Sequence, residues 1–146
     1  MARKIIQVLL CAAALPFYPF VLLFAARMLT PSFWSEASTF TAENWIFFLI
    51  YPAAAIGIPA LLISIFAAPV TIRRKAWLTC VVVIGLVAGS LAAATFLVLL
   101  VPSNYAQDDG SGKWMSAWQM GGPLVVAIWN LARLWSETRR SGSAAS

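Results

Sequence analysis

The sequence has no histidine, only five acidic residues and only two cysteines in 146 positions. Without histidine the commonest general base and the commonest metal ligand are both missing. The acids Glu36, Glu43, Asp108, Asp109 and Glu137 all stand outside the long apolar stretches. None is placed as a proton carrier inside a bilayer. Cys11 and Cys80 stand singly within apolar stretches, with no CxxC pair and no metal-type spacing. They read as two buried small hydrophobes. Ser64, Thr79, Ser90 and Thr95 have no candidate base, so backbone bonding within their own helices is expected of them. Catalysis, a cofactor and a metal site are therefore not expected.

Charge is scarce as well. Charged residues make up 10% of the chain, against roughly 25% in soluble domains. Hydrophobic residues make up 62%, and the mean hydropathy is +0.85. A soluble domain and a disordered chain are both excluded by this balance. The sequence describes an all-α integral membrane protein of one domain.

Four apolar runs carry that reading, over residues 5–28, 45–70, 76–101 and 114–135. A spanning helix needs about 20 mainly apolar residues. The first three runs exceed that, the first interrupted only by Gln7 and the terminal Arg27. The fourth is weaker, interrupted by Gln119, Asn130 and Arg133. Its tryptophans, Trp114 and Trp118 at one end and Trp129 and Trp135 near the other, resemble two interfacial belts, so it too is predicted to span. Nothing alternates as barrel strands would. Ala12-Ala13-Ala14 offers a signal-peptidase site, but the apolar stretch continues past it and cleavage is not expected.

The positive charges sort by side. Four crossings put Arg3, Lys4, Arg73, Arg74, Lys75, Arg133, Arg139 and Arg140 on one side, against Arg27 and Lys113 on the other. By the positive-inside rule both termini are cytoplasmic. The expected architecture is an antiparallel bundle of four transmembrane helices. The alanine-rich composition points to a bacterial inner membrane. With the charges explained by orientation, nucleic acid is not expected as a partner of the net charge of +5. Residues 136–146 are small and polar and read as a disordered cytoplasmic tail. Asp108-Asp109-Gly110-Ser111-Gly112 reads as a solvated turn with too few ligands for a cation.

Within lipid, helices associate through close packing at small residues. Ala53, Gly57, Ala60 and Ser64 fall on one face of the second helix at helical spacing. Gly85, Gly89 and Ala92 do so on the third, where Val82 is expected to face outward. The linker between these helices is short, so they are antiparallel neighbours and these faces form the expected packing seam. Tyr18-Pro19 and Tyr51-Pro52 mark a candidate kink or cavity, because proline frees the carbonyl four residues earlier. A faint repeat relates residues 3–32 to 74–103, through Arg3-Lys4 with Arg74-Lys75 and Pro31-Ser32 with Pro102-Ser103. Basic helix starts and Pro-Ser exits arise locally, so the match does not require duplication.

For function, the sequence favours a non-catalytic multi-pass protein acting in the bilayer through membrane protein partners, as an accessory or assembly subunit. Two alternatives stand beside it. One is an immunity-type protein against a toxin. The other is a small transporter or channel working as a homo-oligomer.

Overall fold

The computed structural model describes residues 1–100 and 111–143. Asp108, Asp109 and the turn expected there lie outside the described residues. Every described element is helical: α1 (Ala2–Ala12), α2 (Tyr18–Arg27), α3 (Pro31–Ala37), α4 (Ala42–Phe66), α5 (Pro69–Arg74), α6 (Ala76–Leu100) and α7 (Ser111–Ser143). A single 3-10 turn, Leu15–Phe17, joins α1 to α2.

The first run is not one continuous helix. It breaks after Ala12, and α1 and α2 meet at 49°. Pro16 and Pro19 supply no N–H to the carbonyls of Ala12 and Leu15, so the i→i−4 ladder fails twice within one turn. The backbone closes with tighter i→i−3 bonds, Ala14 to Cys11 at 3.0 Å and Phe17 to Ala14 at 3.1 Å.

The second run stops early for a related reason. α4 ends at Phe66, and Ala67 and Ala68 are extended. Pro69 disfavours helical backbone at the residue before it and then opens α5 from the first helical position. α7 runs from Ser111 into the segment expected as a disordered tail. Helix is already propagating there, which costs far less than nucleating it.

α4 and α6 pack most extensively, and α6 lies between α4 and α7. α1 packs chiefly on α7, while α2 packs on α4. The bend thus carries the first segment from one neighbour to another. At the far end of α2, the short α3 folds back over the start of α4. Phe33 is fully buried there, edge-on to Phe48 with centroids 4.9 Å apart, and Phe40 stacks on Phe48 at 4.8 Å. The Arg27–Glu36 pair at 3.4 Å is exposed at both ends and contributes little.

Residues 44–66 and 76–98 are long and apolar enough to cross a membrane, and α1 with α2 makes a third span if the bent pair is taken as one. Only 18% of the first apolar window and 28% of the second is buried inside the protein. The remainder is an apolar surface far larger than a water-soluble protein exposes. α7, with its amides and arginine, is not among these candidate spans.

Two expectations are corrected on α6. Cys80 is exposed, whereas Cys11 is buried. Val82, expected to face outward, is 0% exposed. Three residues before Gly85 and seven before Gly89, it lies on their side of the helix, whereas Cys80 stands one turn before the exposed Ile84.

Candidate functional site

Two features occupy the interior: a chain of hydrogen-bonded polar side chains and an apolar cavity. Gln7 of α1, Asn130 of α7 and Ser64 of α4 are all buried. Gln7 Nε2 donates to Asn130 Oδ1 at 3.0 Å. Asn130 Nδ2 donates to Ser64 Oγ at 2.9 Å, and Ser64 Oγ donates to the Leu61 carbonyl at 2.7 Å. Three helices are tied by one continuous chain. Its loose end is Gln7 Oε1, which is buried and has no donor among the described residues.

Around this chain the termini of several helices converge. Lys4 Nζ donates to the Phe66 carbonyl at 3.3 Å, linking the start of α1 to the end of α4. Arg133 lines a small recess with Pro69 and Ile72, beside Ser64 and Asn130. On α1 and α7 the backbones touch. A Cβ added at Gly122 would overlap the Leu10 carbonyl.

On the seam, a Cβ at Gly57 would lie 2.5 Å from Gly89 Cα, and one at Gly89 would lie 2.9 Å from Gly57 Cα. A Cβ at Gly85 would overlap Ala60 Cβ. Gly57 therefore faces Gly89 while Ala60 faces Gly85, the register of an antiparallel pair. Ala60 and Ala92 are buried. Ala53 is half-buried one turn before Gly57.

The tyrosine–proline pairs part company. Pro59 supplies no N–H to the Ala55 carbonyl, and Tyr18 Oη donates to that carbonyl at 3.3 Å. Pro19 is exposed in the first turn of α2, and Pro52 is half-buried inside α4. Tyr51 stacks on Phe24 at 4.8 Å and lines the cavity. Tyr18→Phe should leave the Ala55 carbonyl unpaired. A loss of about 0.5–1 kcal/mol is expected, read as a small drop in melting temperature in detergent. No drop would mean that the carbonyl has another donor.

The cavity encloses about 100 Å³ and is lined from α2, α4, α6, α7 and the turn before α2, with Phe17, Tyr51, Gly57, Gly89, Phe96 and Met120 among its walls. The glycines that admit close backbone approach also leave it unfilled. Among the hydroxyls, Ser64 and Thr95 bond backbone carbonyls of their own helices, at Leu61 and Leu91. Thr79 reaches across the helix junction to Ile72 at 2.9 Å. Ser90 Oγ is buried without a partner among the described residues.

Sequence reasoning placed Ser64 on the seam but missed Gln7 and Asn130, treating them as blemishes in apolar runs. The available signal was the presence of amides in two predicted spans, Gln7 in the first and Gln119 and Asn130 in the fourth, since an amide in lipid must find a partner. No family model, curated protein or solved structure matches the chain.

Proposed function

We propose that the chain is a four-span protein of a bacterial inner membrane, with both termini cytoplasmic, which holds a membrane protein partner and performs no chemistry of its own. The fourth span is α7. Asn130 supports its place among the spans, because it pairs with Gln7 of α1 and Ser64 of α4. A helix lying on the membrane surface would direct such an amide to water. The start of α1, the end of α4, α5 and the Arg133 region of α7 also gather at one end of the molecule. Their basic residues form the cytoplasmic face by the positive-inside rule.

One observation carries the functional half. Gln7, Asn130 and Ser64 bond to one another across three helices, which is a tethering arrangement. The outward faces of α4 and α6 offer apolar side chains such as Ile56, Ile84 and Leu91. Such a surface binds lipid or other spans.

Reporter fusions after Arg74 and after Ser146 should both read cytoplasm, and one after Asp109 should read the outside. An outside reading at Ser146 would remove α7 from the spans. For the partner, a photo-crosslinking residue at Leu91 in native membranes should capture one heterologous membrane protein, and the level of that protein should fall when this chain is deleted. Solute flux through liposomes containing the purified chain alone would instead establish a transporter or channel.

A further inference from the structure

The first segment changes neighbours at its bend. α1 packs on α7, whereas α2 packs on α4. α2 and α7 are not among the extensively packed pairs of described helices, which leaves a cleft between them at the level of the cavity. Ala14, Phe17 and Val21 line it from one side of the cleft, and Gln119, Met120 and Pro123 from the other. The cavity is partly open. The outward side of α2 beside it carries Phe20 and Leu23, both largely exposed.

We propose that this cavity is a lateral site for the end of a phospholipid acyl chain, entering from the bilayer between α2 and α7. The proposal rests on the membrane-spanning reading above. Its chemistry follows from the walls. Tyr51 and Gln119 are the polar side chains among them, and the rest are apolar. No lining side chain carries a charge to meet a carboxylate or phosphate. The headgroup stays outside, and only hydrocarbon enters. Size agrees with this. A dry apolar cavity of about 150 Å³ admits benzene, so about 100 Å³ takes the last few carbons of a chain. Two other helix junctions are closed by contrast. α4 meets α6 backbone to backbone at Gly57 and Gly89, and α1 meets α7 at Leu10 and Gly122. The α2–α7 cleft is the side left to lipid.

The test uses the full chain in phosphatidylcholine vesicles, doped with a phosphatidylcholine bearing a diazirine near the end of one acyl chain. After irradiation, adducts are mapped by mass spectrometry. Adducts are expected at Ala54 and Met120 in the cavity as well as at the outward Ile84 and Leu91. Ala54→Leu and Ala93→Leu each fill the cavity. Either should lower labelling at Met120 several-fold and leave Ile84 and Leu91 unchanged. Labelling of Ile84 and Leu91 with none at Ala54 or Met120 in the parent chain would show a sealed void and overturn the proposal. Undiminished Met120 labelling in the filled variants would do the same, by showing attack from outside. Absence of labelling at Ile84 and Leu91 would overturn the membrane-spanning reading itself. If a filled variant does not insert, the parent map decides.

Discussion

A Gly57→Leu variant is expected to melt far below the parent protein in detergent. Even the first carbon of the new side chain has no space, because a Cβ at Gly57 comes within 2.5 Å of Gly89 Cα and 3.0 Å of Gly89 N. The obstacle is backbone, which cannot rotate aside. α4 and α6 must separate along their length, and dispersion contacts fall off steeply with small gaps. Overpacking typically costs about 1–3 kcal/mol, and a collision with backbone belongs at the upper end, about 3 kcal/mol. Gly89→Leu should behave alike, since it meets Gly57 from the other side. The control belongs on a truly outward position. Ile84 is 63% exposed and suits it, whereas Val82 does not. Ile84→Leu should change little, because lipid and leucine are equally apolar. A Gly57→Leu protein that melts with the parent would refute the close α4–α6 packing.

Asn130→Leu is expected to be the second large loss. Asn130 both accepts from Gln7 and donates to Ser64, so its removal orphans the Gln7 amide and costs Ser64 its donor, while Ser64 keeps its bond to the Leu61 carbonyl. A single hydrogen bond between membrane helices averages only about 0.6 kcal/mol. Leaving a buried polar group unpaired costs more, about 1–3 kcal/mol. The orphaning decides the magnitude, and a loss of about 2–3 kcal/mol follows. Gln7→Met should be mild by comparison. It leaves Asn130 Oδ1 without its donor but also removes Gln7 Oε1, which is buried and lacks a donor among the described residues. Groups in one network are not additive. Gln7→Met should therefore recover part of the Asn130→Leu loss. Stability is read by unfolding in mixed micelles of increasing denaturing detergent. Strict additivity of the two changes would mean that the amides do not act together.

The contrast between these two sites shows which information a single sequence carries. Small residues three and four apart mark a close-approach face from one helix alone, so Gly57, Gly85 and Gly89 were visible without their partners. Long uncharged stretches likewise mark α4 and α6, because lipid demands them locally. The break between α1 and α2 was half legible. Pro16 and Pro19 announce lost hydrogen bonds, but whether a helix bends or stops depends on what its neighbours offer. Val82 was misplaced although the period was legible, since i, i+3 and i+7 put Val82, Gly85 and Gly89 on one face. Gln7 and Asn130 are partners across 123 residues, and no periodic pattern joins them. The cavity too exists only between elements, where five segments leave space that none of them records.

The long separation of Gln7 from Asn130 has a consequence for biosynthesis. Ribosomes add about 5–20 residues per second, so Gln7 precedes its partner amide by roughly 10 s at the middle of that range. Throughout that interval α1 carries an amide without its final partner, and Ser64 on α4 waits in the same way. The emerging chain is therefore incomplete in a chemically readable sense until α7 arrives. A product truncated before Asn130 would leave the Gln7 amide without the partner that an amide in lipid requires. α7 is the helix that certifies α1.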